Sequence, residues 1–428
     1  MHSTAEQRPT TDEMRATRRS FPPSLVVTTP LECHERLSQE HGVPVFLKGE
    51  DRQTVRSYKV RGAAAKMLSL TEEELRRGIV CASAGNHAQG VAACCNMLER
   101  PGTVFMPRTT PLQKIEATQR RGNGHVDIRL EGDAFDETAQ NALSFAGEHA
   151  ATYIHPFDDW KVIEGQGSVA LEIAEQVERQ RLKLAAVIVP VGGGGLMAGT
   201  VLALRETHPD TLIVGVEPAG AACMAAAVAE GHPVTLPAVD AFVDGAAVAR
   251  AGERPFAVVA EAIRAGRARL LTVSNNRLSA SMADLLQMDG RVTEPAVALS
   301  VAALDAVASR TRDGVVTCVV SGGNLDMRRM PKILQHAELH RRTTVFLQVT
   351  LPDRPGALQE MLATAADVLP RVNICYMRFD DDEGNGGSPP LTVGFQSKEG
   401  KPEDITLLVD TLKNARFHIR ELSCKPAG

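Results

Sequence analysis

From about Val45 to Ser321 short apolar runs recur, each followed by a stretch with helical spacing. This alternation restricts the chain to few architectures, because a strand buried on both faces needs helices above and below it. The runs Ile79 to Ala82, Thr103 to Met106, Val126 to Leu130, Tyr153 to His155, Val187 to Val191, Leu212 to Val216 and Val315 to Val320 predict strands. Helical patterns lead from the first of these through Ala92 and span Pro111 to Arg121, with Pro111 suited to a first turn. The expectation is an α/β fold with two open, mostly parallel sheets covered by helices, and ligands beyond the carboxyl ends of the strands. A chain of 428 residues exceeds one ordinary core. With only 4 % aromatic residues and abundant Ala, Val, Leu and Gly, its layers can approach closely.

The rhythm changes after Asn324. Arg328 to Arg342 reads as a basic, helix-permissive connector. Thr344 to Thr350 alternates as a strand and runs into Asp353-Arg354-Pro355-Gly356. A helix over Ala357 to Val368, strands near Val372 to Arg378 and Leu391 to Phe395, a helix over Glu403 to Asn414 and a strand over Phe417 to Leu422 follow. Asp380 to Pro390, rich in Asp, Gly and Pro, reads as a flexible hairpin loop. The order βαββαβ is that of a ferredoxin-like α+β domain. The expected organisation is a mobile tail over 1–20, a catalytic domain of two lobes over 21–330, a connector over 331–342 and a satellite domain over 343–428.

A net charge of −5 gives no field favouring nucleic acid or an anionic membrane, and no apolar run reaches bilayer-spanning length. Met1 to Ser20 lacks the apolar stretch of a secretory signal. The cysteines at 33, 81, 94, 95, 223, 318, 375 and 424 form no C-x-x-C pair, and no histidine cluster has zinc spacing, so no metal site is expected. A reducing cytoplasm fits this usage.

Four segments carry chemistry. In Ser57-Tyr58-Lys59-Val60-Arg61-Gly62, Lys59 can form a Schiff base with an aldehyde, and burial would free its amine. Alone, a surface lysine beside an arginine is the commoner explanation. Ser83-Ala84-Gly85-Asn86-His87-Ala88-Gln89-Gly90 follows a strand and opens a helix, where unpaired N–H groups can receive a carboxylate. Asn86 both donates and accepts, which suits a phenolic oxygen; a plain helix cap by Ser83 or Asn86 is the simpler alternative. His87 more often serves as a hydrogen-bonded core residue than as a base.

Gly192-Gly193-Gly194-Gly195-Leu196 directly follows a strand. Four glycines are costly in chain entropy and make sense where backbone N–H groups wrap a phosphate. The run matches neither the dinucleotide nor the nucleoside-triphosphate glycine pattern. Ser321-Gly322-Gly323-Asn324 also ends a strand, and its hydroxyl can face a ring nitrogen without holding it protonated as a carboxylate would. An amine for an aldehyde, a phosphate nest, a ring-nitrogen partner and a carboxylate cradle together describe one site.

With these segments in place, the sequence resembles the biosynthetic threonine dehydratases (threonine ammonia-lyases), of fold-type II among pyridoxal-phosphate enzymes. The likeness spans roughly Thr28 to Leu422. It takes in Thr29-Pro30-Leu31, Leu47-Lys48 with Glu50-Asp51, His155-Pro156-Phe157-Asp158-Asp159, Glu164-Gly165-Gln166-Gly167 and Glu294-Pro295, besides the four segments. Asp353-Arg354-Pro355-Gly356-Ala357-Leu358 with Asn373-Ile374 resembles an ACT-like regulatory domain, present once as in a short biosynthetic form.

The resemblance implies pyridoxal 5'-phosphate as cofactor, bound covalently through Lys59. It implies Asn86 at the ring hydroxyl, Gly192 to Gly195 and Leu196 at the phosphate and Ser321 at the pyridine nitrogen. Ser83, Ala84, Gly85, Asn86 and His87 would bind the carboxylate of L-threonine. The implied reaction is elimination to 2-oxobutanoate and ammonia, the committed step towards isoleucine. Isoleucine or valine would act at the ACT-like domain, and a homotetramer or homodimer is expected. Gly49, Val297 and Ala249 depart from the family's usual arginine, glycine and lysine. A serine dehydratase or serine racemase, and a cofactor-bearing sensor without lyase activity, are the alternatives.

Overall fold

The computed structural model describes residues 7–311, 313–352, 354–379 and 391–422. The chain divides into two compact units: one runs up to Asn275 and resumes over Leu285–Asp326, and the other holds Asn276–Asp284 and the chain from Met327 onward.

The first unit contains two sheets. In the six-stranded sheet Val315–Val320 lies between Val45–Gly49 and Leu184–Pro190, parallel to both. Leu212–Pro218 and Ala268–Val273 continue the parallel order, and Leu31–Cys33 pairs antiparallel with Val45–Gly49 at the other edge. The four-stranded sheet, ordered Val126–Leu130, Gly102–Met106, Ile79–Ala82 and Thr152–Tyr153, is wholly parallel. Every residue of Val45–Gly49, Ile79–Ala82 and Val315–Val320 is buried, which is why these strands read as unbroken apolar runs rather than alternations. The two expected open sheets are therefore present. The strand expected over Tyr153 to His155 stops at Tyr153, because His155 Nδ1 accepts the N–H groups of Phe157 and Asp158 and turns the chain. Ala268–Val273 escaped the sequence reading because this outer strand keeps only its two end residues buried.

The helix Lys59–Leu68 packs between Asn86–Leu98 and Trp160–Arg179 at distances that only glycine permits. A methyl at Gly165 would lie 2.4 Å from the Arg61 carbonyl oxygen, and one at Gly90 would lie 3.2 Å from Val60 Cα. Arg61 is itself fully buried. Its guanidinium donates to both oxygens of Glu50 (2.7 and 2.8 Å) and both of Glu172 (2.7 and 2.9 Å). Lys48 Nζ, from the neighbouring strand, donates to Glu172 (2.6 Å) and to the Thr29 carbonyl (2.7 Å). Two cations thus face two carboxylates. Burial pushes the Glu172 carboxyl up, but Arg61 and Lys48 outweigh it and hold that carboxyl below its ordinary value.

Residues 11–20, expected as part of a mobile tail, form the helix Thr11–Ser20 instead. Thr10 and Glu13 make a reciprocal capping box, Met14 is fully buried against Gly167, and Arg18 pairs with Glu175 at 2.7 Å. A single buried apolar residue on an otherwise polar helix leaves little hydrophobic period to read, although Thr10-x-x-Glu13 carried the start signal. Residues 1–6 lie outside the described part.

The second unit contains the expected βαββαβ order: Thr344–Thr350, Ala357–Thr364, Val372–Phe379, Leu391–Ser397, Pro402–Asn414 and His418–Leu422. Its antiparallel sheet runs Val372–Phe379, Leu391–Ser397, Thr344–Thr350, His418–Leu422, with Met361, Ile405, Leu408 and Leu412 packed on Leu347, Val393 and Phe395. The expected connector is the helix Met330–Arg341 and belongs to this unit. Ala337 packs with Ala280 and Ala283, and His336 Nδ1 lies 2.6 Å from Asn276 Oδ1. The unit is therefore larger than the stretch 343–428 that the sequence suggested. The hairpin loop at 380–390, Asp353 and Cys424 fall outside the described residues. Among those described, no helix is long and apolar enough to cross a membrane.

Glu172→Gln removes one carboxylate from a buried network of balanced charge. It should lower stability by about 3 kcal/mol, read as the denaturant midpoint of the intact protein; an unchanged midpoint would show that these charges are not sequestered from water.

Candidate active site

Lys59 is the first residue of its helix, and the segment before it is fastened to the end of Val315–Val320. Tyr58 N–H donates to the Ser321 carbonyl (3.1 Å), Ser57 bridges Gly322, and Gly323 N–H donates to the Arg56 carbonyl (2.9 Å). The Lys59 ammonium donates to the Pro156 carbonyl at 2.8 Å. Burial pulls this amine down to about 8, against the opposing pull of the Glu294 carboxylate. The residue as a whole is half-buried rather than sealed in the core.

The residue after Pro156 ties Lys59 to the glycine run. A methyl at Gly193 would sit 2.3 Å from the Phe157 ring, and one at Gly195 would sit 3.1 Å from Phe157 Cβ. Gly194 has φ +93° and caps the helix Gly195–Leu204; a side chain there would strike Met224 at 2.3 Å and Pro255 at 2.8 Å. Each of these glycines is fixed by a close neighbour. Among the described residues no acceptor takes the N–H groups of Gly192, Gly193, Gly194, Gly195 or Leu196. Unpaired donors at a helix start, walled by Phe157, Met224 and Pro255, fit a phosphate.

On the other sheet, Ser83 to Gly85 link Ile79–Ala82 to the helix Asn86–Leu98. Ser83 Oγ accepts from Gly85 N–H (3.1 Å), and Ala84 and Gly85 are half-buried. His87 Nε2 lies 2.9 Å from the Ile154 carbonyl, which makes it the donor and leaves Nδ1 unpartnered. Burial, and then the nearby Lys59 charge, push His87 down to about 3, so it is neutral and serves as a structural donor rather than as a base. His155 is likewise held down to about 4, chiefly by burial.

Asn86 makes the contact that the sequence did not foretell. Its Nδ2 donates to both oxygens of Glu294 (2.8 and 3.0 Å), and its Oδ1 accepts from Asn324 Nδ2 (2.7 Å). Glu294 is buried, and burial raises its carboxyl to about 7 against the stabilising bond from Asn86. Beside its part in the family resemblance, Glu294-Pro295 reads as a helix start, with proline in the first turn. Nothing in sequence could pair it with a residue 208 positions away. The departure at Gly49 also finds a reason: a side chain there would meet Arg291 Nη2 at 3.1 Å, and Arg291 pairs with Asp51 at 2.6 Å.

Lys59 thus touches Pro156, whose neighbour Phe157 packs on the tetraglycine, while the residue before Lys59 bonds Ser321 and His87 bonds Ile154, two residues before Pro156. An amine of lowered basicity, a row of N–H groups without acceptors and an amide that donates form a donor set that fits pyridoxal phosphate. Among the described residues no group of three or more His, Cys, Asp or Glu side chains could hold a metal.

Comparisons with known proteins point the same way. The sequence model of the pyridoxal-phosphate-dependent enzymes matches residues 24–322. The biosynthetic L-threonine dehydratase of Mycobacterium tuberculosis is 44 % identical over 409 residues, covering 95 % of this chain and 92 % of that one. That of Lactococcus lactis is 39 % identical over 393 residues, 91 % and 92 % of the two chains. Among solved structures, the processed threonine deaminase isoform 2 of Solanum lycopersicum has a TM-score of 0.70 at 37 % identity, covering 78 % of this chain and 94 % of that one.

The lowered basicity of Lys59 gives a measurable pH dependence. Only the free amine attacks an aldehyde, so the rate at which the cofactor-free protein takes up pyridoxal phosphate should rise about tenfold per pH unit below the amine's pKa. It should level off above about 8. A rate that keeps rising beyond pH 10 would mean that this amine is an ordinary exposed lysine.

Proposed function

Because this chain belongs to the pyridoxal-phosphate-dependent enzymes and, within them, to the biosynthetic L-threonine dehydratases, we propose that it is an L-threonine ammonia-lyase. The observation that carries this reading is the Lys59 amine, held near neutrality and joined through Pro156-Phe157 to a cup of unpaired N–H groups. Bound pyridoxal phosphate supplies an electron sink for negative charge developing at the substrate Cα.

The protein's own groups do the rest. The N–H groups of Gly192 to Gly195 and Leu196 would hold the phosphate, Ser321 would face the ring nitrogen and Asn86 would face the ring oxygen. The loop Ser83 to His87 receives the substrate carboxylate at the start of a helix, where the dipole favours an anion. Lys59 Nζ takes the α-proton; the β-hydroxyl leaves with a proton as water. Hydrolysis then returns that water and yields 2-oxobutanoate and ammonia. Phe157, Met224 and Pro255 pack against the glycines that would hold the phosphate.

Lys59→Ala should abolish the visible absorbance of the bound cofactor and lower threonine turnover by at least about 10³-fold. Serine turned over faster than threonine would overturn the substrate assignment and favour a serine dehydratase or racemase. Bound cofactor with no oxo-acid from either substrate would favour the sensor.

We further propose that the second unit is an ACT-like domain through which isoleucine or valine controls the reaction, as the final step of one pathway restrains its first. Its βαββαβ order and the Arg354-Pro355-Gly356 turn before the helix Ala357–Thr364 support this reading. A homodimer or homotetramer in the cytoplasm is the proposed working form. Millimolar isoleucine should inhibit the full chain and spare a chain ending at Arg342; equal response of both, or none in either, would remove the regulatory role.

A further inference from the structure

Asparagine amides turn easily, and their two ends carry opposite polarity, so an asparagine facing a ligand must be told which end to present. Asn86 is instructed from both sides. Its Nδ2 lies 2.8 and 3.0 Å from the two oxygens of Glu294, and the ionised carboxylate, the form that prevails above about pH 7, only accepts. Its Oδ1 lies 2.7 Å from Asn324 Nδ2, whose own orientation is set by a second bond, 3.0 Å long, to the Val55 carbonyl, another obligate acceptor. The series Val55 carbonyl, Asn324, Asn86, Glu294 therefore has one direction. The two oxygens of a single carboxylate subtend too small an angle at Nδ2 for both of its hydrogens to point at them, so one N–H of Asn86 remains for a guest.

Glu294 cannot move aside. It is buried at the start of the helix Pro295–Ala302, and its Oε1 lies where a methyl on Gly322 would meet it at 2.5 Å and one on Gly245 at 3.6 Å. The glycine at 322 makes room for the carboxylate, and the same residue bridges Ser57, two positions before Lys59. The carboxylate that orients Asn86 is thus built into the strand end that also fastens the lysine segment.

We propose that Glu294 is a positioning residue which, with Asn324, locks Asn86 as a hydrogen-bond donor towards the ring oxygen of bound pyridoxal phosphate and so favours the ionised form of that oxygen. This rests on the reading above that Asn86 faces the ring oxygen. With the donor locked, a phenolate gains a hydrogen bond from Asn86, and a neutral hydroxyl finds no acceptor in that amide. A freely turning amide would serve either form. Glu294 thereby acts on the electronic state of the cofactor without touching it.

The test uses the full-length holoprotein loaded with pyridoxal phosphate, at equal bound phosphate, and reads the ratio of the long-wavelength to the short-wavelength absorption band. Glu294→Gln brings in a side chain that can donate, lets Asn86 turn, and should shift the ratio about 2- to 10-fold, the weight of one ordinary hydrogen bond. Glu294→Asp, which keeps the carboxylate, should return it towards the wild-type value. Asn324→Ala removes the lock from the other end and should shift the ratio in the same direction, which carries the test if Glu294→Gln does not fold. Asn86→Ala sets the full effect. A shift in Asn86→Ala with wild-type spectra in both Glu294→Gln and Asn324→Ala overturns the locking role and leaves Asn86 at the ring. No shift in Asn86→Ala overturns the underlying placement of Asn86, and the proposal with it.

Discussion

Arg61 lies two residues beyond Lys59 on a helix enclosed by two others, and its charge is removed from water entirely. An isolated guanidinium could not remain there, since burying an unpaired ion costs several kcal/mol even after relaxation. Glu50 from the turn after one strand and Glu172 from a neighbouring helix meet it in two forks, and Lys48 balances the second carboxylate. Each member comes from a different element. The network is satisfied only when strand, turn and both helices are in place, and in that arrangement the helix start brings Lys59 to the Pro156 carbonyl.

The pocket is shaped by a second constraint of a different kind. The glycine run is set by contact on every side, with Phe157 against Gly193 and Gly195, and Met224 with Pro255 against Gly194. Those neighbours force the backbone into the only path open to it, and that path leaves a row of N–H groups without internal partners. Tight packing of apolar groups thereby leaves donors of the kind an anion could take. Because Phe157 follows the residue whose carbonyl receives the Lys59 ammonium, amine and anion site are held by adjacent residues of one short turn.

The third element is electrostatic. Lys59, Glu294, His87 and His155 are all shifted, with burial the largest cause in each. The amine is drawn down and the carboxyl drawn up until both stand near neutrality, while the histidines are held neutral. A lysine amine of lowered basicity with no imidazolium beside it suits abstraction of a proton.

Much of this was legible in the sequence. The apolar runs marked the buried parallel strands because sheets covered on both faces need no alternation, and the glycines after Val191 marked a strand end where neighbours pack too closely for side chains. The Lys59, Ser83–His87, tetraglycine and Ser321 segments were each visible, and the βαββαβ ending showed through its alternating strands. What the sequence could not state was which distant polar residues meet. Glu294 and Asn86, Arg61 and Glu172, and Met14 and Gly167 are brought together only by three-dimensional packing. A local pattern records the face a residue presents, whereas a buried polar partner is chosen by whichever element the finished fold places opposite. The direction in which Asn86 points, and the folding of residues 11–20 onto the body as a helix, were decided at that level.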